Sequence, residues 1–434
     1  MMKFLTSSYF VALSVFFLLI LECMSERQIT RAEHGHILTN IGCWSHDGAW
    51  IVYDVRPDLE GSVFEGNRIE RVHVETGEVE VLYQSAHGAH CGVVTASPLD
   101  DRVVFIHGPE NPTPDWHYAA NHRRCAMVRA SIPGQAKTLD ARDLVPPFTS
   151  GALRGGTHVH VFSGDAQWVS FTYQDHVLAS LDPALDLRNV GVSVPNRSVK
   201  VPKTHSRNHD GTHFSVLVTQ TTPQPKPGSD EIKRAYGDAW VGQRALAFLG
   251  DVVTGAGETI TELYIVDLPE DLTMEGSGGL SGTETTSPQP PKGIVQRRLT
   301  RTDARAFPGV QGVRHWPRSA PDGSRIAFFM KDDHGIAQLW TIHPNGDGLN
   351  VLTKGHRAFT SAFSWSHDGN RIACVVDGSV SVVNAADGAI MALTTRRDSA
   401  PRPEACVFSP DGKQIAYVCE VDGFNQIFVC DARG

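Results

Sequence analysis

The sequence predicts an all-β fold, a seven-bladed β-propeller closed by an N-terminal strand in the last blade. The prediction rests on a repeated four-strand unit, a repeated turn and a repeated strand ending. The clearest unit is residues 363–395, where four short apolar runs alternate with turns that contain Asp-Gly. Glycine supplies the positive φ of tight antiparallel turns, and four strands in about forty residues is a usual length for one blade. Such a sheet is apolar on both faces and needs neighbours on both sides.

The first turn of this unit recurs along the chain, and an apolar strand follows each copy, such as RIAFFM at 325–330 and HFSVLV at 213–218. Leu-Thr recurs at blade ends, at 299–300, 352–353 and 393–394. The alternative is a two-sheet sandwich of unrelated hairpins, but the turn and the ending recur in one register. The seven aligned turn residues are Asp47, Asp100, Asp165, Asp210, Asp322, Asp368 and Asp411.

The repeat fills the chain, so we expect a single propeller domain at 25–434 after a leader at 1–24. Blade four, predicted at 203–301, carries two insertions, at 223–242 and 270–293. RQITRA at 27–32 matches the Leu-Thr ending. We therefore expect the N-terminal segment to supply the fourth strand of blade seven, which removes the free edges of the sheets.

The leader has the pattern of a signal peptide. Lys3 precedes an apolar run at 10–21, which is too short to span a bilayer. A signal peptide would make the protein periplasmic or secreted. If the chain instead starts at Met24, the protein is cytoplasmic. A lipoprotein acylated at Cys23 is a third alternative, which Glu22 disfavours.

Composition limits the partners. The 39 Lys and Arg residues are scattered among 48 Asp and Glu residues, with no basic stripe, which excludes nucleic acid as a partner. The eight cysteines form no CxxC pair, so we expect buried free thiols, which fit poorly with an oxidising compartment. We further expect a monomer without a transmembrane span.

The twenty histidines give the main functional signal. Several histidines lie five or seven residues before an aligned Asp. This position is near the start of a blade's innermost strand, which borders the central channel. The loops between second and third strands open on the same rim. We therefore expect the histidines, the loop with Trp116 and His117, and Trp240 to face one mouth of the channel. A saccharide or a protein would bind at that face.

Three of these histidines have the pattern of a metal site. His158 and His160 share one side of a strand if side chains alternate, and His205 would come from the next blade. Three imidazole nitrogens suit Zn, Mn or Fe. His90 and His315 are additional candidates for metal or ligand contacts. The alternative is that the pair is simply packed or hydrogen-bonded.

Four arginines lie close in sequence to these histidines, and guanidinium groups bind carboxylates in bidentate geometry. The alternative is ordinary rim charge. No G-x-S-x-G motif occurs, and no catalytic base is indicated, so the sequence leaves open whether the protein is an enzyme. The four residues are Arg154, Arg188, Arg207 and Arg314.

Two resemblances to known families follow from these motifs. SAPDGSRIAFF, SWSHDGNRIACVV and FSPDGKQIAYV resemble the WD40-like repeats of TolB-type propellers. From Met24 onward the chain resembles the YidR-like proteins, a bacterial family of uncharacterised propellers, in segments such as LRGGTHVHVFS (153–163) and LDPALDLRNVGV (181–192). This resemblance implies the propeller but no established activity.

A third resemblance is to the oligogalacturonate lyases, which are seven-bladed and manganese-dependent. THVHVFSGD (157–165) and THSRNHDG (204–211) are similar to their metal-binding segments, which implies ligand roles for His158, His160 and His205. Two departures are Gly155, where the lyases have Gln, and the reversed order of the two blades. The two functions that follow are a non-catalytic propeller that binds a partner or saccharide, and a metal-dependent polysaccharide lyase.

Overall fold

The computed structural model describes residues 26–39, 41–195, 197–397, 399–404 and 406–433. The predicted leader at 1–24, with Cys23, lies outside the described residues. Within them, no helix is long and apolar enough to cross a membrane.

Strands are the dominant secondary structure of the described chain. The N-terminal strand is β1 (Glu26–Gln28). Blade one contains β2 (Gly35–Ile37), β3 (Trp50–Arg56), β4 (Arg68–His73) and β5 (Val79–Gln84). Blade two contains β6 (Cys91–Ala96), β7 (Arg102–His107), β8 (Arg124–Arg129) and β9 (Ile132–Thr138). A short parallel pair follows, β10 (Ala141–Arg142) with β11 (Ala152–Leu153).

Blade three holds the only α-helix of the described residues. Its strands are β12 (Gly155–Phe162), β13 (Val169–Asp175), β14 (Arg188–Val194) and β15 (Phe214–Leu217). Between β13 and β14 lie the helix α1 (His176–Leu181) and a 3-10 turn (Pro183–Leu185). Blade four contains β16 (Ile232–Val241), β17 (Ala245–Val253), β18 (Thr259–Asp267) and β19 (Val295–Arg298).

The last three blades are the most regular. Blade five contains β20 (Arg318–Ser319), β21 (Ile326–Lys331), β22 (Ala337–Ile342) and β23 (Asn350–Val351). Blade six contains β24 (Ser364–Trp365), β25 (Arg371–Val376), β26 (Ser379–Asn384) and β27 (Ile390–Ala392). Blade seven contains β28 (Val407–Phe408), β29 (Gln414–Val421) and β30 (Phe424–Asp431).

Seven four-stranded antiparallel sheets confirm the predicted all-β propeller. Six sheets follow chain order, and first strands of neighbouring sheets contact one another, as β16 with β20 and β20 with β24. In blade seven, β1 pairs antiparallel with β30, with Arg27 opposite Val429. The Thr30 hydroxyl accepts a hydrogen bond from the Ile427 amide at 2.9 Å. The N-terminal segment thus supplies the outer strand of this sheet.

The aligned Asp residues have a local structural role. In four blades a serine hydroxyl two residues earlier donates to the Asp carboxylate, and the amide two residues later donates to the same oxygen. This arrangement closes the turn between the first and second strands. The serine-to-aspartate bonds are Ser45 to Asp47 at 2.5 Å, Ser163 to Asp165 at 2.6 Å, Ser366 to Asp368 at 2.6 Å and Ser409 to Asp411 at 2.7 Å.

The Leu-Thr endings close each outer strand in the same way. The threonine hydroxyl accepts from an amide of the third strand, so the chain stays paired as it leaves the blade. The bonds are Leu263 to Thr300 at 2.9 Å, Leu339 to Thr353 at 3.0 Å and Val380 to Thr394 at 3.0 Å.

The predicted boundaries of blade three, at 151–202, and of blade four, at 203–301, are wrong. HFSVLV at 213–218 forms β15, the outer strand of blade three, and Thr219 accepts from the Val190 amide at 2.9 Å. The segment expected to be an insertion contains β16, the innermost strand of blade four. Asp210 pairs with Lys203 at 2.6 Å and closes no blade turn. The turn between the first and second strands of blade four is Val-Gly-Gln, directly after Trp240. It contains no Asp, so an alignment on the Asp of the turn could not find it.

Apolar side chains between adjacent sheets form the core. Trp168, Phe214, Phe248 and Tyr264 belong to one buried cluster that joins blades three and four. The seven cysteines of the described chain are all buried and free, as expected. Close packing of this kind holds the innermost strands in fixed positions around the channel.

Candidate functional site

The innermost strands of blades two, three and four share an irregularity in their pairing with the second strand of the blade. Each has a β-bulge at the matching place in its pairing. The first bulge residues are Val93, Val159 and Gly237, with φ of +55°, +58° and +66°. A β-branched residue at positive φ is a strained outlier, and bulges re-aim side chains near functional sites. These three strands are therefore the first place to look for a site.

The bulge at Val159 breaks the alternation on which the H-x-H prediction depends. His160 is fully buried, with Nε2 3.0 Å from the Thr157 hydroxyl. Thr157 in turn donates to Asp140 at 2.8 Å, so the His160 Nε2–H is the donor to Thr157. Burial and the charge of Arg123 lower the pKa of His160 to about 3. His160 is thus a neutral member of an internal hydrogen-bond network.

His158 has different surroundings. Burial lowers the pKa of His158 well below its usual value, and the charges of Arg123, Arg188 and Arg314 lower it further. Its buried Nδ1 has no hydrogen-bond partner among the described residues. His158 is therefore a neutral imidazole next to several guanidinium groups.

These guanidinium groups form the arginine cluster, which we define as Arg123, Arg188, Arg234 and Arg314. Burial lowers the pKa of Arg188, and the charges of Arg234, Arg314 and Arg123 act on it in the same direction, whereas the charge of Asp186 raises it. The Arg188 Nε–H also donates to the Gln174 side-chain oxygen at 3.3 Å. Only Arg234 has a carboxylate at ion-pair distance in the described structure, Asp251 at 3.7 Å. The cluster therefore carries excess positive charge.

Aromatic rings hold two of these arginines. The Arg123 guanidinium lies 4.6 Å from the centre of the Tyr118 ring and 5.7 Å from that of Phe64, and its Nε is buried without a partner. Arg314 lies 5.2 Å from the Trp316 ring. Cation–π contact positions a guanidinium without neutralising it.

The loop that carries Trp116 lies against β12 in this region. A Cβ atom at Gly156 would come within 2.2 Å of the Ala120 carbonyl oxygen. Only glycine therefore allows the backbone of this loop to approach the innermost strand of blade three so closely. The Gly-Gly pair before the histidines positions Arg123 and the residues around it.

A second cluster contains Trp116, His122, His176 and His205. Trp116 stacks on His122 at 3.8 Å between ring centres, and His205 lies 6.3 Å from Trp116. His122 Nδ1 donates to the His117 carbonyl at 2.9 Å, so its Nε2 accepts from His176 Nδ1 at 3.1 Å. Burial, with the charges of His122, Arg142 and His205, lowers the pKa of His176 to about 4.

Sequence reasoning missed several of these residues. His122 and Arg123 lie just before β8, in the loop already noted for Trp116, and His176 directly follows β13. Arg234 lies within the segment expected to be an insertion. These residues lie at strand ends on one rim, and that position could have identified them. The wrong boundary of blade four placed the strand ends incorrectly, so the sequence analysis did not find them.

The predicted three-nitrogen metal site is not assembled. His205 precedes the outer strand of blade three and contacts Trp116, whereas His158 and His160 lie on the innermost strand. In the part of the chain that the structure describes, no three His, Cys, Asp or Glu side chains lie close enough to hold a metal ion. The residues present therefore do not fit the Mn or Zn expected from the lyase resemblance.

The remaining predicted histidines have internal contacts. His315 uses both ring nitrogens, with Nδ1 donating to the Val313 carbonyl at 2.8 Å and Nε2 accepting from the Phe329 amide at 3.0 Å. It is a core histidine and offers no free nitrogen to a ligand. His90 makes an edge contact with Tyr118 at 5.9 Å. The exposed His117 donates to the Pro114 carbonyl at 3.0 Å.

Two of the predicted arginines form hydrogen bonds or ion pairs with other residues of the protein. Arg154 is fully buried and pairs with Asp175 at 2.6 Å. Arg207 donates to the carbonyls of Glu110 at 2.7 Å and Asn111 at 2.9 Å. Both guanidinium groups fix the loops around the site and have little capacity left for a ligand carboxylate. Arg188 and Arg314 are the predicted arginines that belong to the cluster.

Trp240 does not share the mouth with these residues, contrary to the prediction. It lies at the end of β16 and lines a separate cavity with Trp44 and Trp365. Because the innermost strands all run in the same direction, their ends lie at the opposite mouth from their starts. The charged mouth is therefore built by blades two to five without Trp240.

The fold and the charged mouth define a propeller with a candidate anion site, and comparisons with known proteins agree on the fold. A family model described as a protein of unknown function (DUF3748) matches residues 90–209, the stretch that contains both clusters except Arg234 and Arg314. The uncharacterised protein YidR of Escherichia coli (strain K12) is 50% identical over 396 residues, which cover 90% of this chain and 94% of YidR. The chain belongs to the YidR family.

Solved structures show the same architecture. An oligogalacturonate lyase in complex with manganese aligns with a TM-score of 0.59 and 12% identity, covering 94% of this chain and 93% of the lyase. TolB from Acinetobacter baumannii aligns with a TM-score of 0.38 and 13% identity, covering 89% of this chain and 81% of TolB, a match too weak to support an argument. At these identities the lyase match supports the fold alone.

Proposed function

We propose that this protein binds an acidic saccharide, one that carries uronate carboxylates, at the arginine cluster beside His158. The observation that carries the proposal is the set of four guanidinium groups with one carboxylate at ion-pair distance in the described structure. Arg123 and Arg188 are partly buried and have no carboxylate at ion-pair distance in the described structure. A ligand carboxylate that accepts bidentate hydrogen bonds would offset the cost of burying their charges.

The surroundings favour a sugar acid over a simple inorganic anion. Phe64 and Tyr118 stack on each other at 4.6 Å beside Arg123, and Trp316 lies beside Arg314. The apolar face of the Trp316 ring matches the C–H face of a pyranose ring, while the guanidinium groups match its carboxylate. A protein ligand with acidic side chains is the competing occupant, and it lacks this match of ring to ring.

A lyase activity at the same mouth is the second candidate, and His158 favours it. A guanidinium on the uronate carboxylate would draw electron density and acidify the adjacent C5 proton. The neutral His158 imidazole would accept that proton as the C4–O bond breaks, and the leaving oxygen would take a proton from water. The negative charge of the bound uronate would offset the guanidinium charges that lower the pKa of His158. Because the predicted metal ligands are not assembled, we derive no step through a metal.

Calorimetric titration with saturated oligogalacturonides, beside neutral galactose oligomers of the same length, tests the binding proposal. We expect heat of binding for the acidic oligomers only, and an affinity that falls as salt is added. Equal affinity for both oligomers would contradict the proposal. Absorbance of unsaturated uronate, followed in the same mixtures, reports the lyase reaction separately, since binding without absorbance growth leaves only the first candidate.

A further inference from the structure

The ends of the innermost strands enclose a second cavity of about 420 Å³, at the opposite mouth from the arginine cluster. Its volume falls within the range of about 300–1,000 Å³ that is typical of small-molecule sites. All seven blades contribute to its wall, which is predominantly apolar. The aromatic residues of the wall are Trp44, Phe162, Trp240, Trp365 and Phe408.

The three tryptophans of this wall are fixed in place. Each indole N–H donates to a carbonyl on the innermost strand of the preceding blade. Because the N–H groups are used, the rings present only their apolar surfaces to the cavity, in a preformed arrangement. The bonds are Trp44 to Val407 at 3.0 Å, Trp240 to Val161 at 3.0 Å and Trp365 to Arg318 at 2.9 Å.

One charged residue of the wall has no charged or hydrogen-bonded partner for its side chain. Arg318 is 5% exposed, and its guanidinium makes no hydrogen bond or ion pair with any residue that the structure describes. The Arg318 guanidinium lies 5.8 Å from the centre of the Trp316 ring. Burial lowers the pKa of Arg318 to about 10, so the group stays charged at neutral pH.

The nearest carboxylate does not neutralise this arginine by direct contact. Asp238 acts on Arg318 through its charge, but no ion pair joins them. Asp238 Oδ1 accepts from the Thr172 hydroxyl at 3.2 Å, and its buried Oδ2 has no partner. A buried guanidinium in this state gains most from an anionic group that enters the cavity.

We propose that this cavity binds a ligand with an apolar, aromatic body that ends in one carboxylate, held by Arg318. The aromatic wall takes the body, and the guanidinium takes the carboxylate in bidentate contact. Because the wall contains a single buried cation, we expect a ligand with a single negative charge. An acidic saccharide does not fit, because its hydroxyl groups would lose their hydrogen bonds to water against the aromatic wall. This site is independent of the proposed function.

The carboxylate has two sources, a free aromatic acid or the C-terminal residue of a peptide, and the titration separates them. The probes are 3-phenylpropanoate and the blocked tripeptide N-acetyl-Gly-Gly-Phe, each beside a neutral control, 3-phenylpropanol and N-acetyl-Gly-Gly-Phe amide. Binding is followed by calorimetry and by the fluorescence of the wall tryptophans. We expect at least one carboxylate to bind and its neutral control to bind at least about tenfold more weakly.

Variants of Arg318 complete the test. Arg318→Gln removes the charge and is expected to weaken carboxylate binding at least about tenfold. Arg318→Lys keeps a charge without the planar fork, so it should bind with intermediate affinity, and it serves as the test if Arg318→Gln does not fold. Arg357→Gln, an exposed arginine, is the matched control and should bind as wild type. The inference is overturned if neither carboxylate binds, or if binding is equal in wild type and the folded Arg318 variants.

Discussion

The two mouths of the channel are built by the same seven strands, yet they differ in almost every respect. At the ends of the strands the repeat is kept, and each tryptophan of the wall bonds to the preceding blade. At the starts, bulges shift the pairing in blades two, three and four, and strand starts and loops contribute arginines and histidines. The repeat therefore builds the stable apolar mouth, and departures from the repeat build the charged one.

Acidification should have the largest effect, because burial lowers the pKa of several histidines. Burial lowers the pKa of His176 to about 4 and that of His160 to about 3, from a usual 6.5. The unfolded chain then binds protons first, so stability is full above about pH 6.5 and falls as the pH drops toward 4.

Each such histidine contributes up to about 1.4 kcal/mol per pH unit within this window. Urea unfolding at a series of pH values measures the effect. His176→Gln should flatten the slope between about pH 6.5 and pH 4, whereas an exposed control, His367→Gln, should not. An unfolding midpoint that is constant across the window would contradict the neutral state of these histidines.

The next largest effect is expected from the buried pair that supports the charged mouth. Arg154→Ala leaves Asp175 buried without its partner, and Asp175 also caps α1 through the Leu178 amide at 3.0 Å. Breaking a buried pair typically costs about 3–5 kcal/mol. Chemical denaturation measures the loss, and the exposed pair of Arg433 and Asp431 gives a control variant, Arg433→Ala. A loss below about 1 kcal/mol would show that Arg154 is not a structural anchor.

The apolar mouth should respond less to a single change. Trp365→Phe keeps most of the ring and removes the hydrogen bond to the Arg318 carbonyl. The expected cost is about 1 kcal/mol, measured as a shift in the thermal midpoint. A cost above about 3 kcal/mol would show that Trp365 contributes much more than this one hydrogen bond.

The smallest effect on stability is expected from Val159→Gly, and its comparison with Val161→Gly distinguishes the bulge from the regular strand. Val159 has a φ of +58°, which glycine adopts without strain, whereas Val161 is paired in the normal register opposite Ser170. Val159→Gly should change stability by less than about 1 kcal/mol, because relief of strain offsets the lost side chain. Val161→Gly should cost at least about 2 kcal/mol. Equal losses in the two variants would show that the bulge is unstrained.

The same contrast explains what the sequence could predict. The Ser-x-Asp turns and Leu-Thr endings are local bonds, so they were visible as motifs and gave the fold. Blade four was misplaced because Gly242 and Gln243 replace the expected Asp-Gly, and this error put His205 on the wrong strand. Arg123 joins the cluster through a loop contact and Arg234 through a bulge. Neither arrangement produces a regular residue spacing that the sequence could show.

The most direct test of the charged mouth is the affinity for a saturated oligogalacturonide in the double variant Arg188→Gln with Arg314→Gln. Neither residue has an ion-pair partner in the described structure, so the fold should be kept, as circular dichroism can verify. The account predicts an affinity at least about tenfold weaker than wild type, with the exposed control Arg357→Gln unchanged. An unchanged affinity in the folded double variant would contradict it.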